Sequence, residues 1–549
     1  MDRRTLLFGK QEESANSSLP LLRTTTGLSP YTGIFGSSEL VHLLDRTLFG
    51  INRTDLNFFK NQSLEQVVNT LLVQAPAPLP PVNVYNDTNI NDPNVPLGLT
   101  WVNAPYTDGT INARRYTSFK AWWTGLLLNQ NRSITEKMSL FWHNHFATET
   151  VDVGDARFVY KHHALLRANA LGNVKSLVKQ ITLDPAMLRY LNGYLNTKTA
   201  PDENYARELQ ELFTLGKGPN SKYTEDDVKA AARVLTGYRT DATNISSTFD
   251  PNRHDTGNKQ FSAFYNNQVI IGKTGAQGAN ELDELLDMIF AQEEVSLYIC
   301  RRLYCFFVYY DIDAAAESQV IVPMARILRQ NNYDIKPALV ALLKSEHFFD
   351  VLNRGCMIKS PIDLVVGTCR QFGIVFPNAQ SDTQNAYLMW DYIRAQGSSM
   401  QQNLGDPPNV AGWPAYYQEP LFYRIWINSD TLPKRNQFLD LMIGQGYTRN
   451  GKKIVIDPVA FASQFSTPEN PNILINESLE LMYNQSVSQQ LKDFLKGILL
   501  SGQLNDYYWT NAWNEHKNNP SNTSAKNIVL SRLQSMYKYM MNLAEYQLS

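Results

Sequence analysis

The chain of 549 residues is poor in several things at once. It has four cysteines, Cys300, Cys305, Cys356 and Cys369, and no C-x-x-C pair, which excludes a zinc knuckle or a thioredoxin-like motif. Cys300 and Cys305 fall in an apolar, helical run, about 140° apart on a helical wheel, as expected of buried structural thiols. Charge of one sign is missing too: 50 Lys and Arg stand against 52 Asp and Glu, a formal net charge of −2. Arg114-Arg115 and Arg301-Arg302 are only doublets, so the electrostatic footprint of a nucleic-acid binder is absent. No apolar run approaches the ~20 residues that a membrane helix needs, and no membrane span is expected. Leu6-Leu7-Phe8, after Arg3-Arg4, is too short for the apolar core of a signal peptide, about 7–15 residues. The default expectation is a cytoplasmic protein, with non-classical export left open.

Phosphate-binding loops and nucleophile elbows are also missing: there is no G-x-x-x-x-G-K-[ST], G-x-G-x-x-G or G-x-S-x-G. Glu136, Lys137 and His143 do not reproduce H-E-x-x-H. What is abundant is core material, 43% hydrophobic and 11% aromatic, which excludes wholesale disorder. The length exceeds one ordinary domain.

Helical spacing dominates. It predicts helices over residues 38–47, 112–129, 133–146, 202–215, 224–236, 279–292, 294–309, 318–330, 335–347, 361–372, 487–500 and 524–548. Thr224-Glu225-Asp226-Asp227 resembles a capping box, Gly237 sits where a left-handed terminator belongs, and Ser360-Pro361 reads as cap plus first-turn proline. The best strand pattern is Asn267 to Gly272. Residues 75–99, rich in Pro, Asn and Asp, read as a long surface loop, and 240–278 as a second irregular segment. The expectation is a mainly α protein: a large multi-helix body with long irregular loops and at most a small β hairpin. Residues 1–36 would form an N-terminal arm, 37–445 the main helical domain and 446–549 a C-terminal helical lobe.

Histidine is scarce, eight in the chain, yet five lie between His143 and His254. In Phe141-Trp142-His143-Asn144-His145-Phe146, titratable groups sit among large aromatics, a common makeup for a metal or acid/base site. Ile134, Met138, Phe141 and His145 recur at helical spacing, placing His145 on the core face and His143 on another. Two residues apart on a helix, the pair converges on one ion only if the helix unwinds near Asn144. The plain alternative makes His145 a hydrogen-bonded core residue and His143 a surface or capping one.

On the predicted helix from Asp202, Tyr205, Ala206, Leu209, Leu212 and Phe213 form the apolar face. Asn204, Arg207, Glu208 and Glu211 cluster opposite, with Arg207 spaced to bridge Asn204 and Glu211. This is either a solvated face or, turned inward, a place where Arg207 holds one carboxylate ionised while another acts as base. His254-Asp255 offers imidazole and carboxylate, ligands for zinc, iron or manganese or orienters of one another. Gly405 to Pro414 is a dense loop that frames a pocket with Trp413 as wall, or serves as a rigid connector.

Taken in order, several blocks resemble the DUF1800 (domain of unknown function 1800) family, in its Bacteroidetes-type branch. They are His42 to Gly50, Phe141 to Thr148, Asp202 to Gly216, Tyr223 to Gly237, His254-Asp255 and Asn409 to Pro414, within a stretch from Glu39 to Arg435. The resemblance supplies no established activity. Members are commonly encoded beside proteins resembling sulfatases and alkaline phosphatases, which implies a partner of that type and a role on exported material. The chain departs from many relatives in having Phe213 where they carry histidine.

The leading expectation is a metal-assisted hydrolase-like enzyme acting on a polymer or exported substrate. His143, His145, His254 and Asp255 would be metal ligands for a divalent Zn, Fe or Mn. Glu208 would be the general base, and Asn144 and Arg207 would position substrate or charge. The rival expectation is a non-catalytic helical binding or assembly partner of a sulfatase/phosphatase-like exported protein. There Trp142, His143 and Asn144 lock helix packing, Arg207–Glu211 is a structural ion pair, and a surface rich in Tyr and Asn, such as Tyr416-Tyr417 and Tyr507-Tyr508-Trp509, suits adhesion to protein or glycan.

Overall fold

The computed structural model describes residues 26–549. The first 25 residues of the expected N-terminal arm, with Arg3-Arg4, lie outside the described residues. The described chain is mainly helical, with three two-stranded antiparallel ribbons as its sheets. None of its helices is long and apolar enough to cross a membrane.

The site region is built from α1 (Ser37–Thr47), α2 (Gly109–Leu128), α3 (Thr135–His145), α4 (Ala156–Ala168), α5 (Asn204–Glu211), α6 (Glu225–Val234), α7 (Glu281–Phe290), α8 (Glu293–Phe307) and α9 (Pro361–Gln371). Further along come α10 (Thr383–Ser399), α11 (Thr431–Ile443) and α12 (Thr523–Asn542). Helix starts follow the local chemistry. Thr224 Oγ1 accepts from the Asp227 amide at 3.3 Å while Asp227 Oδ2 accepts from the Thr224 amide at 2.7 Å, the reciprocal box that occupies otherwise free first-turn donors. Ser360 caps α9 ahead of Pro361. Gly237 ends the next turn after α6 at φ 95°, and a Cβ there would stand 2.8 Å from the Asp250 carbonyl, so glycine is required by both conformation and space.

Residues 240–278 are more ordered than an irregular segment. Tyr238–Asp241 pairs with Ser246–Phe249, and Lys259–Gln260 with Val269–Ile270, the second ribbon falling on the predicted strand. The helices α4, α10 and α11 have no counterpart among the predicted ones. Each packs against already buried elements, α10 on α2 above all, so tertiary contact rather than a clean apolar stripe sustains it.

α3 departs most from the amphipathic expectation. Every residue from Thr135 to His145 is buried, because α4 covers one side and the loop carrying Trp413 another. A helix polar enough to read as two-faced is here wrapped all round. His143 is therefore not a surface residue: it is 3% exposed.

One apolar cluster runs from Leu40 to Leu548. α12 packs on α11, and Leu548 forms an isolated antiparallel bridge with Ile358. Residues on both sides of the expected 445/446 boundary share that core.

Candidate functional site

His143 lies edge-on to Trp123, ring centroids 4.9 Å apart at 89°, and 5.9 Å from Trp413. Both its ring nitrogens are buried without a hydrogen-bond partner. Burial, then the neighbouring His162, push its pKa down to about 3, so the ring is neutral at physiological pH. An imidazole in this setting rests on contacts with the Trp123 and Trp413 rings.

Two residues on, His145 points elsewhere, as helical geometry demands. Its Nε2 donates to the Phe213 carbonyl at 3.1 Å. Burial and the Arg302 charge hold its pKa at about 3. The helix does not unwind at Asn144: α3 is regular through His145. Asn144 Oδ1 instead accepts the Trp413 amide at 2.8 Å.

His254 belongs to a different cluster. Its Nδ1 donates to the Thr236 carbonyl at 3.0 Å, and Nε2 meets Glu281 Oε1 at 3.1 Å. Glu281, fully buried, also binds Lys259 and accepts the Lys273 amide at 2.7 Å. Those partners hold its carboxyl below the usual glutamate range against the effect of burial. Asp255 does not orient His254. It is clamped through Oδ2 by Arg233 Nε at 2.7 Å and through Oδ1 by Arg233 Nη2 at 3.1 Å.

The expected bridge from Arg207 to Glu211 is corrected. Arg207 makes a two-pronged pair with Glu225, both contacts 2.7 Å, and reaches Glu203 at 3.1 Å. Glu211 pairs with Lys217 instead. The reason is that α6 brings Glu225 across to the exposed side of α5, where a planar guanidinium finds both oxygens at once. Glu208 is unlike its neighbours. Its Oε2 is buried without a partner, and burial followed by the Glu211 charge raises its pKa.

The structure thus brings His143, Asn144 and Trp413 together, and sets His145 against Phe213, beside α5. It does not gather His143, His145, His254 and Asp255 around one point. Both nitrogens of His254 and one of His145 have protein partners, and Asp255 is neutralised by Arg233. Among the described residues no group of three or more His, Cys, Asp or Glu is placed to hold a metal ion. The donor set does not fit the expected shared ion.

Two features escaped the sequence reading. His162 and His163 on α4 complete the aromatic box: His163 lies 4.5 Å from Trp123 with both nitrogens unpartnered. His162 Nδ1 faces Asp184 Oδ2 at 3.0 Å and Nε2 donates to the Phe146 carbonyl at 3.1 Å. The adjacent histidines were a visible signal. The other feature is a cleft of about 1060 Å³ between the end of α5, α8 and the loop after Asn409. His145, Glu211, Tyr298, Arg302 and Tyr417 are among its walls. Among the described residues Arg302 has no hydrogen-bond or ion-pair partner, whereas Arg301 is tied to Glu294 and Glu317. No local sequence pattern announces a cleft assembled from segments so far apart. The Gly405–Pro414 loop does frame it, but through Ala411 and the tyrosines that follow; Trp413 itself is buried against His143.

The family described as "Protein of unknown function (DUF1800)" matches residues 42–548. The chain belongs to the DUF1800 family. The match takes in both the FWHNHF helix and the C-terminal helices, so the DUF1800 unit includes α11, α12 and the Leu548 bridge as well as the cleft. No curated protein and no solved structure matches the chain.

Proposed function

We propose that this DUF1800 protein is a hydrolase-like enzyme that holds a polymeric or exported substrate in the cleft, with Glu208 as its acid/base group. The observation that carries the reading is the state of Glu208. One carboxylate oxygen is buried with nothing to bind, and burial and Glu211 together favour its protonated form. A carboxyl whose pKa is raised holds its proton to higher pH and can give it to a leaving group, and a desolvated carboxylate takes a proton from water. Glu208 lies on α5, whose last residue, Glu211, lines the cleft. Glu149 is a second carboxyl pushed up by burial and by Asp152, and its charge, with those of Asp152 and Glu208, raises the Tyr190 hydroxyl behind the effect of burial. Arg302, free of partners, serves to hold an anionic or polar substrate group. Asn144 and Arg207 serve as positioning residues, through Trp413 and Glu225.

Metal assistance by zinc, iron or manganese belongs to this reading only through His143, the one expected ligand with both ring nitrogens free. Elemental analysis of wild type and His143→Ala tests that part separately. The main test is a screen of glycan and peptide oligomers against wild type and Glu208→Gln. Turnover that vanishes in the variant while binding persists supports the reading; equal turnover in both ends it. Within the family, we place the chain in the Bacteroidetes-type branch on its motif blocks.

A second reading has its own observation. Phe494, Tyr507, Tyr508 and Tyr539 are exposed on the C-terminal helices and Leu504 in a turn between two of them, with Phe494 and Tyr539 rings 4.8 Å apart. Such a patch suits docking on a sulfatase/phosphatase-like partner. Loss of complex formation in Tyr507→Ser plus Tyr539→Ser, with turnover kept, separates it from the first.

A further inference from the structure

Behind the cleft is a second, more enclosed space of about 50 Å³. Cys305, Tyr310, Tyr416 and Phe422 line both, so the two spaces share a wall. At about 10–15 Å³ for each water, it has room for a few waters or one small anion.

Cations outnumber anions around it. Arg46 is buried, donates through Nη2 to the Asn353 carbonyl at 2.9 Å, and meets only sulfur through Nη1; its Nε has no partner. Lys359 donates to the Tyr546 carbonyl at 3.1 Å and lies over that ring at 4.7 Å, with no carboxylate bound to it. Arg435 stands behind, its Nη2 on the Lys359 carbonyl at 2.7 Å and its Nε again unpartnered. Lys137 alone has an ion pair, with Asp363. Asp45 lines the same space and makes no ion pair. Three lining cations, with Arg435 behind them as a fourth, therefore stand against two carboxylates. A carboxylate at Ser549, another lining residue, would still leave one positive charge over.

Buried charge without a counter-ion is unfavourable unless something supplies the missing partner. We propose that this space binds a small oxyanion of the phosphate or carboxylate class, held by Arg46 and Lys359 and repelled by Asp45. The burial that pushes Arg435 down to about 9 and lowers Lys359 is what an entering anion would relieve. The contributing segments, Asp45-Arg46 on α1, Lys137 on α3 and Lys359 just before α9, are far apart in the chain, and the inference does not depend on Glu208.

The experiment is calorimetric titration of the full chain with inorganic phosphate and, separately, acetate, against chloride at matched ionic strength. Saturable binding of either is expected. Asp45→Asn should tighten it, and Lys359→Met should weaken it at least about tenfold, the loss of one charge-assisted contact. The opposite signs distinguish the site from surface screening. No binding of either ion by wild type, or one Kd shared by all three proteins, overturns the proposal. If Lys359→Met does not fold, Asp45→Asn decides: an unchanged Kd overturns it.

Discussion

Asn144 and Trp413, 269 positions apart, are joined by a hydrogen bond of 2.8 Å from the Trp413 amide to Asn144 Oδ1. The loop approaches so closely that a Cβ on Gly412 would stand 2.2 Å from that oxygen, and Gly412 has φ 90°. The Phe141–Thr148 and Asn409–Pro414 blocks therefore form one packed unit. It sets the loop that supplies Ala411, Tyr416 and Tyr417 to the cleft.

Asn144→Ala removes a buried acceptor and strands the Trp413 amide, a cost of about 1–3 kcal/mol. Gly412→Ala adds overlap and an unfavourable backbone region, and should cost more. Denaturant unfolding of both variants checks the order; a neutral Gly412→Ala contradicts the close approach.

Glu208→Gln should raise stability near neutral pH while abolishing turnover. A glutamate whose folded pKa exceeds its usual value near 4.5 binds its proton more tightly when folded, so stability is lost as pH rises from 4.5 through the folded value. Glutamine carries no such loss. Thermal midpoints at pH 4 and pH 8 measure it: a gain confined to the higher pH is expected, and the same change at both speaks against a raised carboxyl.

His143 and His145, both near 3 in the fold against 6.5 in the unfolded chain, work in the opposite direction. The unfolded state binds more protons between these values, so their stabilising share is present above about 6.5 and drains away as pH falls toward 3. Each contributes a slope of up to about 1.4 kcal/mol per pH unit. Unfolding free energy from pH 7 to pH 4 should fall less steeply in His143→Phe plus His145→Leu than in wild type, if the variant folds. Imidazole proton resonances of these two rings should stay unmoved over that range.

Lys259→Met should be among the most damaging substitutions, about 3–5 kcal/mol. It leaves Glu281, wholly buried, with one of its charged partners gone. Lys259→Met plus Glu281→Met should recover much of the loss, because the desolvated charge leaves with it. Chemical denaturation of the single and double variants reads the difference.

The mainly helical class was legible because apolar spacing and caps are local: Thr224 with Asp227, and Ser360 with Pro361, act over three residues. α10 went unseen because its start carries no side-chain cap and its burial comes from α2, more than 250 positions away in the chain. For the candidate site, the sequence named residues but could not name their partners. Glu208 stood out as a candidate base and is chemically the odd member of its helix. Arg207 faced Glu211 on a helical wheel, yet Glu225 from a neighbouring helix offered better geometry.

By itself, the sequence determined what kind of molecule this is: a helical body with a large aromatic core, without the charge excess, the C-x-x-C pairs or the apolar spans of other classes. Those properties follow from composition and spacings of a few residues. The tertiary structure alone decided which imidazoles meet, sending His143 to Trp123, His145 to Phe213 and His254 to Glu281. It also left Arg46, Lys137 and Lys359 around one small space, with Arg435 behind it. Side-chain partners at long range depend on how buried faces pack and on which buried charge finds a counter-charge first. Neither quantity is written in any short stretch of the chain.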